Sequence, residues 1–261
     1  MDLHGRRVLV TGASRGIGEA LVRRLLPTGA TLALVARQAG PLEALAREVG
    51  AVPYPVDLSD PDQVSGLIAR VEEDGPVDVL VNNAGIDNVG AFPTQTEDAV
   101  RQVFQVNLLS PVELCRQVLP GMIGRGRGHI VNVSSMGGVI VFPGIATYAA
   151  TKAGLTHFTA GLRADLKGLP IGTTVVELGP IPTDMLSTID AYAPTEKSFE
   201  RCYKLRLVVN VPVADVADGI VDAIIRGRKH VRLPKRAAPF ALLTELPRRT
   251  GELILSGVKP R

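Results

Sequence analysis

The feature that most restricts the fold of this chain is an alternation of short apolar runs with helical stretches. Residues 7–11 (RVLVT), 31–36 (TLALVA), 52–56, 77–81, 129–133, 173–178 and 230–233 are near-continuous Val/Ile/Leu segments. Continuous rather than alternating apolar runs mark strands covered on both faces. Between them, residues 18–26, 41–49, 61–73, 97–124, 147–167 and 213–226 have helical character. Asp60 before Pro61 reads as a helix start, and Gly50 just past residue 49 reads as a helix end. Strand–helix alternation implies right-handed βαβ units and a doubly wound parallel sheet. With 261 residues and no internal repeat or low-complexity linker, a single α/β domain is expected over 1–233. Residues 184–210 interrupt the rhythm, and a long insertion of this kind suits a loop over a substrate.

Composition removes several function classes. Two cysteines, Cys115 and Cys202, give neither a disulfide framework nor a cysteine-based zinc site, so no metal is expected. The first residues, MDLHGRRVLV, lack a charged n-region followed by a long apolar core, and no run reaches membrane-spanning length. A cytoplasmic location is the resulting expectation. Residues 226–261 hold ten Lys/Arg against two Glu, a net charge of +8, while the rest of the chain carries −5. No recognition helix or aromatic platform accompanies this basic extension (234–261), so nucleic acid is not expected as a partner.

The first strand runs directly into Thr11-Gly12-Ala13-Ser14-Arg15-Gly16-Ile17-Gly18 and then into a helix. Glycines there permit the tight turn, the approach of backbone to a pyrophosphate, and close helix–strand packing. The helix start offers free N–H groups and a positive dipole end to phosphates. A nucleotide role follows from this context, whereas the bare pattern would fit any tight βα turn.

The loop has the spacing TGxxxGxG. With Asn82-Asn83-Ala84-Gly85 after the fourth strand, Val106-Asn107-Leu108, Asn132-Val133-Ser134-Ser135 and Tyr148-Ala149-Ala150-Thr151-Lys152, it resembles the short-chain dehydrogenase/reductase family in motif order and spacing over residues 5–233. That resemblance implies a Rossmann fold and a catalytic set of Asn107, Ser135, Tyr148 and Lys152. Ser135 is taken over Ser134 because it lies thirteen residues before Tyr148, the family's separation. Lys152 would also hold the nicotinamide ribose, and Asn107 a water linking Lys152 to solvent. Asp57 would hold the adenine amino group beside Leu58, with Asn83, Ala84 and Gly85 under the adenosine ribose. Residues 179–183 (GPIPT) resemble the family's PGxxxT segment and put Pro180, Ile181 and Thr183 at the nicotinamide carboxamide. The family's usual first proline is Leu178 here.

The residues make chemical sense of this reading. Tyr148 and Lys152 are four apart and share a helix face. A phenol's ordinary pKa is near ~10, and a neighbouring ammonium lowers it, so Tyr148 can give a proton to a ketone or take one from an alcohol. The Ser135 hydroxyl can bond the substrate oxygen as charge develops. In isolation a Tyr/Lys pair on a helix is usually a lysine lying along a half-buried ring; the other motifs override that here. The second strand ends in Arg37 rather than in the acid that binds a ribose 2′-hydroxyl, and Arg15 lies in the loop. Two guanidinium groups match a 2′-phosphate, so NADP(H) is the expected cofactor.

Met136, Val139, Phe142 and Tyr192 are expected to line the substrate pocket with the 184–210 loop. That wall favours a lipophilic carbonyl compound or alcohol. Two alternatives remain open: a catalytically silent dinucleotide-binding sensor or scaffold, and a membrane-peripheral reductase using the basic tail. Pro239, Pro247 and Gly251 break the tail's amphipathic pattern, which favours packing over a membrane surface. The resemblance further implies a homodimer or homotetramer paired through the helices at 97–124 and 147–167.

Overall fold

The computed structural model describes residues 1–206 and 208–235. Seven strands form one sheet: β1 (Arg7–Thr11), β2 (Thr31–Ala36), β3 (Val52–Pro55), β4 (Val79–Asn82), β5 (Gly128–Ser135), β6 (Ile171–Leu178) and β7 (His230–Leu233). Every pairing is parallel, in the order β3-β2-β1-β4-β5-β6-β7. This is the expected doubly wound Rossmann sheet, and its order reverses between β1 and β4. The tail expectation for residues 236–261 lies outside the described residues, as does Leu207.

Side-chain alternation along the central strands feeds two apolar layers. Val8, Val10, Leu34 and Val81 pack with Leu21 and Val22 of α1 (Gly16–Leu25), Leu42 of α2 (Ala39–Val49), and residues Ile220 and Ile224 further along the chain. Leu9, Val35, Leu80 and Ile130 face the other way, against Leu114, Val118 and Met122. Burying each such Leu, Ile or Val contributes about 1.5–3 kcal/mol relative to exposure. The sheet edges are short. β3 carries Pro53 and Pro55, which lack the N–H an interior strand would need.

Two expected helices are interrupted. The 61–73 stretch divides into α3 (Pro61–Val64) and α4 (Leu67–Glu72), because Ser65 is extended and Gly66 takes a left-handed φ of 71°. The 97–124 stretch becomes α5 (Glu97–Phe104), a π-helical turn (Gln105–Leu109) and α6 (Ser110–Gly124). Pro111 explains the second break: it cannot donate to the carbonyl of Asn107, four residues back, and its ring crowds that carbonyl. α7 (Ala146–Asp165) follows β5, and α9 (Val213–Arg226) covers the α1 side. The 184–210 insertion is a 3-10 segment (Leu186–Ala191) followed by α8 (Ala193–Lys204).

Candidate active site

The site lies at the C-terminal end of the sheet, at the β1/β4 switch point, where doubly wound sheets open a crevice. Thr11 ends β1. Its hydroxyl accepts the backbone N–H groups of Asn83 (3.0 Å) and Ala84 (3.1 Å) and donates to the Val81 carbonyl (3.3 Å). The Asn83 amide in turn donates to the carbonyl of Thr11 (2.9 Å). These bonds draw the glycine loop onto the residues after β4 until a Cβ on Gly12 would sit 2.8 Å from the Ala84 Cα. A Cβ on Gly18 would sit 2.0 Å from the Gly12 oxygen, so glycine is required there for the helix to start so close to the strand. Arg15 occupies the N-cap position with extended backbone, and no side chain caps the first turn of α1. Its free N–H groups suit an anion.

A cavity of about 1030 Å³ runs from this loop across the sheet end. At one end lie Ser14, Arg15, Gly16, Ile17, Arg37, Asp57 and Leu58. Arg37 is exposed and makes no ion pair or hydrogen bond with the described residues, whereas Arg15 pairs with Asp184 (3.2 Å) across open surface. The Asp57 carboxylate accepts the Ser59 N–H and hydroxyl (2.9 and 2.7 Å). Asn83, Ala84, Gly85, Pro180, Ile181 and Thr183 line the cavity as well, and a Cβ on Gly16 would lie 3.5 Å from the Thr183 side chain. Gly18 and Asn107 stand behind the lining.

Toward the other end, Ser135, Tyr148 and Lys152 converge. Ser135 closes β5, and its hydroxyl accepts the Gly137 N–H (3.0 Å) in the turn that follows. A Cβ on Gly137 would lie 3.3 Å from the Ser135 Oγ and 3.4 Å from the Tyr148 ring, so the two side chains flank one small residue. Gly138 lets this turn sit on α7, since a Cβ there would meet the Ala153 nitrogen at 2.6 Å. Ser134 points into the protein and bonds the Lys152 carbonyl and Thr156, a structural role.

Lys152 is buried, with its Nζ donating to the Val133 carbonyl (2.9 Å) and lying 5.7 Å from the Tyr148 ring centroid. Burial lowers its pKa to about 8. The Tyr148 phenol is shifted up by burial, with hydrogen bonding to Ser135 acting against that shift and the charge of Asp87 adding to it. The direction is opposite to the lowering expected from Lys152: loss of solvent around the ring dominates, and the opposing effect comes from Ser135 rather than from Lys152. Asn107 is fully buried in the π turn. Its amide accepts the Ile86 N–H (2.9 Å) and donates to the Ile86 carbonyl (2.8 Å) and the Thr151 hydroxyl (3.2 Å).

Of the expected pocket residues, Met136 and Phe142 line the cavity; Val139 and Tyr192 do not. Val139 packs behind Met136, and the Tyr192 ring lies against Gly144. Ile140, Phe199 and Val208 take their place, with Phe142 and Phe199 stacked at 4.5 Å between centroids. Thr11, Asp87 and Thr188 carry no recognisable role in the sequence alone, yet Thr11 ties the glycine loop to the residues after β4, and Asp87 and Thr188 line the cavity. Asp87 was visible as an acid in an otherwise uncharged stretch, IDNVGAF.

An uncapped, glycine-lined helix start at the switch point thus shares one cavity with a Ser–Tyr–Lys cluster. The model of the short chain dehydrogenase family matches residues 6–193, and the chain belongs to that family, whose members act on alcohol and carbonyl groups. It is 37% identical over 180 residues to a ketoacyl reductase, HetN, of Nostoc sp., covering 67% of this chain and 63% of that protein, less than two thirds of its length. It is 40% identical over 181 residues to an uncharacterized short-chain type dehydrogenase/reductase of Sinorhizobium fredii, covering 69% and 71%. Among solved structures, a short-chain dehydrogenase from Sphingobium yanoikuyae in complex with NADPH superposes with a TM-score of 0.79 at 26% identity, covering 98% of each chain. A blue fluorescent protein from a metagenomic library, in complex with NADPH, gives 0.79 at 33% identity, covering 91% of this chain and 100% of that one. Among the described residues no cluster of His, Cys, Asp or Glu could hold a metal, and no helix is long and apolar enough to cross a membrane.

Two outcomes are expected of the free protein. Thr11→Val keeps the shape but leaves the Ala84 N–H unpaired and the Asn83 N–H with only the Val81 carbonyl (3.1 Å), so a loss of about 1–3 kcal/mol is expected. Urea unfolding of the variant against wild type measures this, and equal midpoints would show that Thr11 does not hold the loop. Lys152 releases its proton in the folded chain at about 8, against an ordinary 10.5. Between those values the unfolded chain binds more protons, so stability rises with pH; below about 8 the burial penalty is full and constant. Melting temperatures should therefore show wild type gaining on Lys152→Met from pH 8 to 10.5, and a pH-independent gap would overturn the assignment.

Proposed function

We propose that this protein is an NADPH-dependent reductase of a lipophilic ketone or acyl compound. The convergence of Tyr148, Ser135 and Lys152 on one cavity with the anion-ready start of α1 carries the reading. The residues fit the cofactor on the structure's own terms: α1 opens uncapped into the cavity, Gly12 and Gly18 admit no side chain, and Arg37 has no partner among the described residues. The first turn of α1 would hold the pyrophosphate, Arg37 and Arg15 the 2′-phosphate, and Asp57 the adenine. Lys152 would hold the nicotinamide ribose, and Thr183 the carboxamide. When bound, the dinucleotide supplies the hydride. Ser135 then bonds the substrate oxygen, and Tyr148 delivers the proton to it. The raised phenol pKa keeps Tyr148 protonated at neutral pH, the form a reductase needs at the start of each cycle.

Apolar side chains at the substrate end, including Met136, Ile140, Phe142 and Phe199, support a lipophilic substrate. The NADPH complexes of two structural relatives support the cofactor choice. Leu109 and Ile123, exposed on the α5–α6 segment, support pairing of two copies through that face. The intact Ser135–Tyr148–Lys152 cluster favours turnover over a silent sensor.

Two measurements test this reading. Tyr148→Phe removes the proton donor and keeps the ring, so ketone reduction should fall by roughly 10²–10⁴-fold with NADPH affinity retained. Near-normal turnover would remove Tyr148 from the mechanism. Arg37→Ala should weaken NADPH about 10- to 100-fold, from the loss of a charged hydrogen bond, and leave NADH nearly unchanged. Tighter binding of NADH than NADPH by wild type would refute the phosphate site.

A further inference from the structure

Within the apolar substrate end of the cavity stands one carboxylate that the reduction chemistry does not use. Asp87 follows the Asn83–Ile86 segment and lines the cavity. It is half-buried, and the surrounding protein raises its pKa through lost solvation. A carboxylate in such a place is normally met by a cation. Among the described residues Asp87 has no ion pair, and its one side-chain partner is the Thr188 hydroxyl on the 184–206 segment. That hydroxyl has a single proton and a second acceptor within reach, the Met185 carbonyl at 2.7 Å. Beyond its own backbone N–H, then, the carboxylate receives one shared donor, although it can accept about four hydrogen bonds. Its charge is felt at the Tyr148 phenol, so it lies within electrostatic reach of the reacting oxygen.

We infer that Asp87 is a specificity-determining residue, which accepts a hydrogen bond from a hydroxyl on the substrate at a distance from the reacting carbonyl and repels substrates bearing a carboxylate. A lipophilic hydroxyketone satisfies the whole cavity. Its skeleton covers Ile140, Phe142, Ile189 and Phe199, its carbonyl meets Ser135 and Tyr148, and its hydroxyl completes the Asp87–Thr188 pair. The acid also explains the mixed wall, since a purely apolar ketone would bury Asp87 further and leave it short of donors. This inference rests on the ketone reductase reading and narrows its substrate class.

The test is a matched series on an eight-carbon skeleton: octan-2-one, hydroxyoctan-2-ones with the hydroxyl walked from carbon 4 to carbon 8, their methyl ethers, and 7-oxooctanoate. NADPH consumption gives kcat/KM, and ligand-induced melting shifts with NADPH present give a readout independent of turnover. For at least one hydroxyl position, wild type should prefer the hydroxyketone over its ether by about tenfold or more, as expected for a hydrogen bond to a charged group. In Asp87→Ala the ratio should fall to within about twofold. Asp87→Asn, nearly isosteric and uncharged, covers the case in which the alanine variant does not fold. It should accept 7-oxooctanoate better relative to octan-2-one than wild type does. A ratio near one at every position in wild type, or a preference that survives unchanged in Asp87→Ala, would overturn the assignment. The two readings fail separately: octan-2-one reduction lost in Tyr148→Phe bears on the reductase, and the hydroxyl-to-ether ratio bears on Asp87.

Discussion

The site depends first on the contact between the ends of β1 and β4. Those strands are neighbours because the sheet order reverses between them, and the helices that follow leave in opposite directions. Reversal opens a crevice but does not shape it. The Thr11 hydroxyl shapes it, by taking two N–H groups from the segment after β4 that would otherwise be left without strand partners. Gly12 then has to be glycine, since the Ala84 backbone occupies the space a side chain would need. Both edges of the proposed dinucleotide groove are thus one hydrogen-bonded unit. A change in either edge moves the other.

Burial sets the chemistry at the opposite end of the cavity. Lys152 is held by the Val133 carbonyl at the end of β5, and solvent cannot stabilise its charge. Tyr148 faces the same loss of solvent, which favours its neutral phenol. A site that disfavours both charges holds neutral Tyr148 ready to give a proton. Ser135 offsets the effect on Tyr148 through a hydrogen bond, and Asp87 reinforces it through charge. The proton donor is therefore tuned by burial and by two neighbours from different parts of the chain, Ser135 at the end of β5 and Asp87 after β4.

Much of this was legible in the sequence. Strand–helix alternation fixes the sheet type, and the motif order places Tyr148, Lys152 and Ser135 on one cavity. Continuous apolar strands such as β1 leave little choice about which residues are buried. Other features depended on three-dimensional neighbours. The break at Gly66 and the π turn before Pro111 carried local signals, a glycine and a proline inside helical stretches, yet helical periodicity outweighed them in one dimension. The sequence puts Val139 and Tyr192 on an apolar pocket wall with Met136 and Phe142. The structure turns Val139 behind Met136 and sets Tyr192 against Gly144, because the fold of the insertion decides which face looks inward. Thr188 meets Asp87 from 101 residues away, a pairing no local pattern encodes.

The π turn shows how an irregularity can hold a site together. Pro111 has no N–H to offer the carbonyl of Asn107, so the helix there widens by a residue. Val106 and Asn107 are both buried in this turn. The Asn107 side chain is fully used: its amide oxygen and nitrogen close on the backbone of Ile86, and the nitrogen also reaches Thr151 on α7. One side chain thus joins the segment after β4, the α5–α6 helix and the helix that carries Tyr148 and Lys152. Aspartate at this position would lack the donor for the Ile86 carbonyl, and leucine would lack both partners. The asparagine is therefore a positioning residue in the protein alone, and Gly85, pressed between its Oδ1 and the Lys152 Nζ, marks where the groove and the proton-transfer residues meet.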